Sequence, residues 1–125
     1  MPALSVCVST YNKPKDLVRV LEGFRRQTFR DFELLVCDDG SGPETKALIE
    51  GYAAGVDFPV RHCWQPNTGY RLARSRNNGV RDAKGEQLVF IDGDCVPFPD
   101  FLAHHARVRR RGRFVAGERY LLEPE

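Results

Sequence analysis

A chain of 125 residues, 42% apolar and 29% charged, has the composition of a soluble globular protein and the length of a single domain with a sizeable core. Its formal net charge of +2 marks out no polyanionic partner, so bulk charge gives nucleic-acid binding no support. No apolar run approaches the roughly 20 residues of a membrane span and no signal peptide opens the chain, so the expectation is a cytoplasmic protein, or the cytosolic face of something larger.

Leu4 to Ser9 predicts a first strand. Asp16 to Arg26 predicts a helix, because Leu17, Val20, Leu21 and Phe24 recur at helical spacing. Phe32 to Cys37 is a second strand, apolar except for Glu33. Ser41 and Glu44 have capping-box spacing ahead of a helix from about Glu44 to Ala54, which Gly55 would end. Val60 to Trp64 is a third strand, and Tyr70 to Ala83 a third helix with Leu72, Ala73, Val80 and Ala83 as its apolar stripe and Gly85 closing it. Leu88 to Ile91 is a fourth strand. Pro99 and Asp100 suit the first turn of a helix running to the arginine cluster near Gly112, and Phe114 to Leu121 is a last strand.

Strands alternating with helices predict right-handed crossovers and an open, mostly parallel α/β sheet with helices on both faces, which accounts for strands that are solidly apolar. The abrupt stop after Leu122-Glu123-Pro124-Glu125 reads as one domain, residues 1–125, cut from a larger unit. Cys7, Cys37, Cys63 and Cys95 form no C-x-x-C pair and no zinc pattern. Cys7 and Cys37 read as small buried hydrophobes, whereas Cys95 is expected to be more accessible.

Open parallel sheets bind ligands beyond the carboxyl ends of their strands, where strand order reverses. Three such ends are polar here: Ser9-Thr10-Tyr11-Asn12, Asp38-Asp39-Gly40-Ser41 and Asp92-Gly93-Asp94. With strand order 3-2-1-4 all three line one crevice. Residues i and i+2 of an extended segment point the same way, so Asp92 and Asp94 can converge on one ligand, and two hard oxygen donors suit Mg²⁺ or Mn²⁺. The plainer alternatives are a turn and helix cap at Asp38-Asp39-Gly40-Ser41, a helix entry at Tyr11-Asn12-Lys13-Pro14, and an ordinary turn at Asp92-Gly93-Asp94. His104 and His105 are candidates for a third metal ligand, and the arginines from 107 to 113 read as a solvated helix end. Neither the G-x-G-x-x-G fingerprint nor a P-loop follows the first strand.

VCVSTYN at 6–12, LLVCDDGS at 34–41, GYRLARSRNNG at 69–79 and LVFIDGDCVP at 88–97, in that order and at strand ends, resemble glycosyltransferase family 2 enzymes of the GT-A fold over nearly the whole chain. The resemblance implies an inverting glycosyltransferase whose N-terminal half binds a UDP-sugar with Mn²⁺ or Mg²⁺ and whose C-terminal half binds a saccharide acceptor. Carried onto this sequence, it puts Thr10 and Tyr11 against the uracil, with Asn12 ordering their loop. It gives Asp39 the uracil N–H with Asp38 in support, Asp92 the ribose hydroxyls, Asp94 the metal, and Arg71 the base or pyrophosphate. Arg74 and Arg76 lie too close to Arg71 on the helix for all three to face the crevice. GYRLARSRNNG and DCVPFPDFL look most like the branch with chondroitin-polymerase-type and galactosyltransferase-like members, which favours UDP-GalNAc, UDP-GlcNAc or UDP-galactose.

A catalytic base in the resembling family comes from the acceptor-binding half, after the Asp-x-Asp motif. Only Asp100, Glu118, Glu123 and Glu125 follow it here, and Glu118 is the one serious, if weak, candidate. The alternative function is therefore a catalytically incomplete nucleotide-sugar-binding module. A nucleotidyltransferase shares the general architecture but calls for a glycine-rich, arginine-containing loop that VCVSTYNKPKD lacks.

Overall fold

The computed structural model describes residues 2–118. In chain order the elements are β1 (Leu4–Thr10), α1 (Pro14–Arg25), β2 (Phe32–Asp38), α2 (Pro43–Ala54), β3 (Val60–Trp64), α3 (Leu72–Asp82), β4 (Gln87–Asp92) and α4 (Phe101–Val108). The four strands are parallel in the order β3-β2-β1-β4, as the alternating pattern predicts. After β3 the chain recrosses the sheet to set β4 beside β1, so strand order reverses between β1 and β4.

Every residue of β1 and β2 is buried, because helices cover both faces of these two central strands. Alternate side chains divide between the faces. Leu4, Val6, Val8, Leu34 and Val36 join Leu17, Val20, Leu21 and Phe24 of α1 in the main core. Cys7, Leu35, Cys37 and Cys63 form a smaller cluster on the α3 side. Burying each large α1 side chain stabilises by about 1.5–3 kcal/mol, which outweighs the exposed Glu22–Arg25 pair at 3.2 Å, of a kind worth about 0–1 kcal/mol. Cover on both faces does not extend to the sheet's flanks: Leu88 and Phe90 on β4 stay 38% and 48% exposed.

α3 packs differently from the expected stripe. Its buried residues are Ser75 and Gly79, while Ala73 and Val80 face outward. A Cβ on Gly79 would stand less than 3.0 Å from Cys37 Sγ and 3.4 Å from Cys7 Sγ. Glycine thus allows the helix to lie directly on the thiols, a close approach that hydrophobic periodicity does not signal.

The anticipated caps also differ. α2 begins at an N-cap Gly42 with no side-chain bond, because Ser41 spends its hydroxyl elsewhere. α3 is capped at Ala83, and Gly85 instead donates its N–H to Ser5 Oγ (2.7 Å). That serine donates to the buried Glu33 carboxylate (2.6 Å). Glu33 also accepts from Lys84 N–H (2.5 Å) and Arg61 Nη2 (2.6 Å). Burial alone would raise the Glu33 pKa, but these three donors outweigh it and hold it below the usual carboxylate range. α4 ends at Val108 instead of near Gly112. Residues 114–118 form no strand, and the remainder of the expected last strand, 119–121, lies outside the described residues.

Buried Gln27 fastens the segment after β4. Its Nε2 donates to Phe98 O (2.7 Å) and Gly23 O (3.1 Å), and its Oε1 accepts Leu102 N–H (3.0 Å). Both the exit of β4 and the start of α4 are tied to α1 in this way. No helix among the described residues is long and apolar enough to cross a membrane.

Candidate functional site

The carboxyl ends of β1 and β2 are joined beyond the sheet proper, with Asp39 N–H donating to Thr10 O (3.1 Å). Asp38 is fully buried. Its Oδ1 accepts Ser41 N–H (2.9 Å) and Ser41 Oγ (2.6 Å), and its Oδ2 lies 2.7 Å from His62 Nε2 on β3. Burial works to raise its pKa, but the His62 bond and the two Ser41 bonds win and the carboxyl is held below its usual range. The same Ser41 Oγ accepts Asn12 N–H (2.8 Å), and Asn12 Oδ1 accepts Gly42 N–H (2.9 Å). Trp64 Nε1 donates to Ser41 O (3.0 Å). These bonds hold Asn12 at φ 47°, a left-handed conformation that asparagine tolerates better than most residues. Asn12 and Asp38 thus form one network, and Tyr11 stands beside it, 45% exposed.

Asp39 faces the other way, toward α3. Its Oδ1 accepts Gln65 Nε2 (2.8 Å) and its Oδ2 accepts Arg71 N–H (3.1 Å). Gln65 Oε1 in turn accepts Asn78 Nδ2 (3.0 Å), and Asn67 Nδ2 donates to Asp39 O (3.0 Å). A carboxylate has about four lone-pair sites, so Asp39 keeps acceptor capacity for a further donor. Arg71 binds here through its backbone, and its exposed side chain contributes nothing to the bond.

At the reversal between β1 and β4, Gly93 N–H donates to Ser9 O (2.7 Å). A Cβ at Gly93 would stand 2.5 Å from that oxygen, so only glycine permits this approach. Across the same gap Arg76 Nη2 pairs with Asp92 Oδ1 (3.1 Å) and Arg76 Nε donates to Ser9 Oγ (3.3 Å). Of Arg71, Arg74 and Arg76 it is Arg76 whose side chain makes these bonds to the strand ends.

Donor atoms of Asp92, Asp94 and Cys95 lie within 4.8 Å of one another. Thr10 Oγ1, buried and without a hydrogen-bond partner, lies 3.4 Å from where a Cβ on Gly93 would stand. Carboxylates and an orphaned hydroxyl oxygen are donors that fit a hard divalent ion. Neither candidate histidine joins the group: His104 Nδ1 lies 2.9 Å from Arg107 Nη2, and His105 is buried with its ring centroid 4.6 Å from that of Phe101. Burial, with His104 next to it, lowers the His105 pKa. An open cleft of about 1700 Å³ runs from Arg76, Asp92 and Asp94 over the bare face of β4, past Phe90 and Phe98, to the exposed Glu118. Thr10, Tyr11, Asn12, Asp38, Asp39 and Arg71 stand outside this cleft, along the strand ends.

The structure therefore draws together the residues expected on β1, β2 and β4, selects Arg76 among the helix arginines, and adds His62, Gln65, Asn67 and Cys95. The strand-end rule that selects the other three termini applies equally to Trp64-Gln65-Pro66-Asn67 after β3, so Gln65 and Asn67 had a signal. His62 had none, since its role depends on lying across from the end of β2.

Residues 5–123 match the family model Glycosyl transferase family 2, and the chain belongs to that family. Its four-stranded parallel sheet is the GT-A core. Among curated relatives it is 37% identical over 112 residues to validoxylamine A glucosyltransferase of Streptomyces hygroscopicus subsp. jinggangensis, covering 85% of this chain and 26% of the relative. It is 32% identical over 97 residues to chondroitin synthase of Escherichia coli, covering 77% of this chain and 14% of that protein. Among solved structures, TarS 1-349 of S. aureus in complex with UDP-GlcNAc aligns with TM-score 0.72 at 27% identity, covering 91% of this chain and 37% of that one. The mannosyltransferase PcManGT of Pyrobaculum calidifontis, in complex with GDP-Man and Mn²⁺, aligns with TM-score 0.75 at 26% identity, covering 85% of this chain and 32% of that one. The alignment thus spans about a quarter of the validoxylamine A glucosyltransferase, less of chondroitin synthase, and about a third of the two solved chains.

Proposed function

We propose that these 125 residues are the donor-binding portion of an inverting glycosyltransferase that takes a UDP-sugar with Mn²⁺ or Mg²⁺ and delivers the sugar to a saccharide acceptor. The observation that carries this reading is the pairing, across the β1–β4 reversal, of a carboxylate with spare acceptor capacity at Asp39 and a two-aspartate turn at Asp92–Asp94. The first suits the N–H edge of a uracil and the second a ribose and a metal-bound diphosphate. Tyr11 offers a flat, half-exposed ring on which a base can stack, with Thr10 beside it. Asn12 and Asp38 act through the loop they brace. Asp92 would accept from the ribose hydroxyls and Asp94 would hold the ion, which when bound offsets the charge gathering on the departing diphosphate. Arg71 and Arg76 present cations on the α3 side, where a diphosphate would lie.

UDP-GalNAc, UDP-GlcNAc and UDP-galactose are the donors favoured, and the UDP-GlcNAc complex of TarS supports this group. Glu118 is the candidate base, exposed at the far end of an open cleft, so transfer by this chain alone should be weak and the incomplete module remains the second reading. Calorimetric titration with UDP, GDP, CDP and ADP, each with and without Mn²⁺, tests the proposal. Metal-dependent preference for UDP is expected, because a site built to bond one base edge rejects bases that leave its polar group unpaired. Equal binding of GDP would overturn the uracil assignment, and binding indifferent to metal would overturn the role of Asp94.

A further inference from the structure

We propose that Tyr70 closes over the free face of a base stacked on Tyr11, so that a pyrimidine is held between two tyrosines; the inference rests on the uracil site proposed above. A single exposed aromatic is ordinary on a protein surface, and it is the place of Tyr70 that gives it meaning. Helical spacing counts it into the third helix, but α3 begins at Leu72. Tyr70 instead stands on the loop that follows β3, 87% exposed.

β2 lies between β1 and β3 in the sheet, so the segments that follow those two strands flank Asp39 from opposite sides. Both are bonded to it. Asp39 N–H donates to the carbonyl of Thr10 (3.1 Å), the residue before Tyr11, and Asp39 Oδ2 accepts the N–H of Arg71 (3.1 Å), the residue after Tyr70. Each tyrosine is therefore one residue from a bond to the aspartate that the uracil reading makes the acceptor. The loop around Tyr70 is anchored at Gln65, whose N–H donates to Asp38 O (3.0 Å) and whose Nε2 donates to Arg71 O (3.2 Å), and at Asn67, whose Nδ2 donates to Asp39 O (3.0 Å). Between these anchors Gly69 takes φ 95° with nothing within 4 Å of its Cβ position, a backbone turn that favours glycine in open space. A tyrosine has only two side-chain torsions to fix, so its ring can be laid on a bound base at small entropic cost. Stacking engages the π-face that every base has, so the second ring adds affinity for the base while edge selection stays with Asp39.

The experiment is calorimetry of the 125-residue chain in Mn²⁺ with UDP and, separately, inorganic diphosphate, on wild type, Tyr11→Ala, Tyr70→Phe and Tyr70→Ala, with circular dichroism to confirm that each is folded. Tyr70→Ala should weaken UDP about 5- to 150-fold, the span of one base–aromatic stack, and leave inorganic diphosphate unchanged. Tyr70→Phe should bind UDP as wild type does. UDP affinity that falls in Tyr11→Ala but is unchanged in Tyr70→Ala would overturn the second ring and leave the uracil site standing. Equal losses of UDP and diphosphate in Tyr70→Ala, or a loss in Tyr70→Phe as large as in Tyr70→Ala, would overturn stacking in favour of loop ordering or a hydroxyl contact. UDP bound by wild type no better than inorganic diphosphate would overturn the uracil site, and the inference with it.

Discussion

Gly79→Ala opposes two effects that the structure allows to be weighed. On helix propensity alone, alanine in the interior of α3 should stabilise by about 1 kcal/mol. The new Cβ, however, would stand less than 3.0 Å from Cys37 Sγ and 3.4 Å from Cys7 Sγ, and both thiols sit on fully buried strands that cannot retreat. Inserting a methyl into such a core costs about 1–3 kcal/mol, so the expected net change is a loss of about 1 kcal/mol. With a urea slope of about 1–3 kcal/mol per molar, the unfolding midpoint should fall by roughly 0.3–1 M. Gly51→Ala is the internal control. It lies in α2 with nothing within 4 Å of its Cβ position, and should stabilise by about 0.5–1 kcal/mol. Removing the obstructing sulfur in a Cys37→Ala/Gly79→Ala pair should recover part of the loss. If Gly79→Ala proved as stabilising as Gly51→Ala, the close approach of α3 to the sheet would be refuted.

Glu33 and Asp38 both have pKa values held below their unfolded ones. Their contribution to stability is therefore full above the unfolded values of about 4 and is lost as pH falls through the lower folded values. Chemical denaturation between pH 6 and pH 3 should show wild type losing stability faster than Glu33→Gln, and parallel curves would contradict the assignment. Asp94→Asn should abolish the part of UDP binding that depends on Mn²⁺, read by calorimetry, whereas Asp92→Asn should cost no more than about 0.5–3 kcal/mol as a lost hydrogen bond; equal losses would remove the distinction between metal and ribose. Asp39→Asn should narrow the preference for UDP over CDP, and an unchanged ratio would free Asp39 from base recognition. His62→Ala should destabilise by about 1–3 kcal/mol by stranding the buried Asp38 carboxylate, with a urea melt indistinguishable from wild type counting against the network.

The central strands are legible because a solid apolar run between two helices fits a buried parallel strand and little else, and the strand order follows from placing three polar strand ends on one crevice. α3 is legible in position but not in orientation. Periodicity points to Ala73 and Val80, whereas the buried face is Ser75 and Gly79, small residues that pack by proximity and leave no hydrophobic signal. α4 stops several residues short of the expected end, because an arginine cluster suits a helix end but does not mark where the end falls. In the site, acidic strand ends announce themselves, while His62 and Arg76 depend on contacts across elements that no local spacing encodes.

The Glu33 cluster, at the amino ends of the strands, bears on a different question. Strands that are apolar on both faces lack the alternation that normally punishes a one-residue slip, since β1 or β2 displaced by one position would still bury hydrophobes on either side. Glu33 reaches Ser5 on β1, Arg61 on β3 and Lys84 just before β4, so a single carboxylate on β2 touches the other three strands or their approach. Any slip would strand a buried charge, a penalty of several kcal/mol. We expect Glu33→Leu combined with Arg61→Leu to keep a compact fold but to show multiple amide resonances for residues of β1 and β4, and one sharp set would dismiss the idea. On this view the anion serves to make three alternative pairings intolerable more than to strengthen the one observed, and it does so at the opposite end of the sheet from the carboxylates that face the ligand.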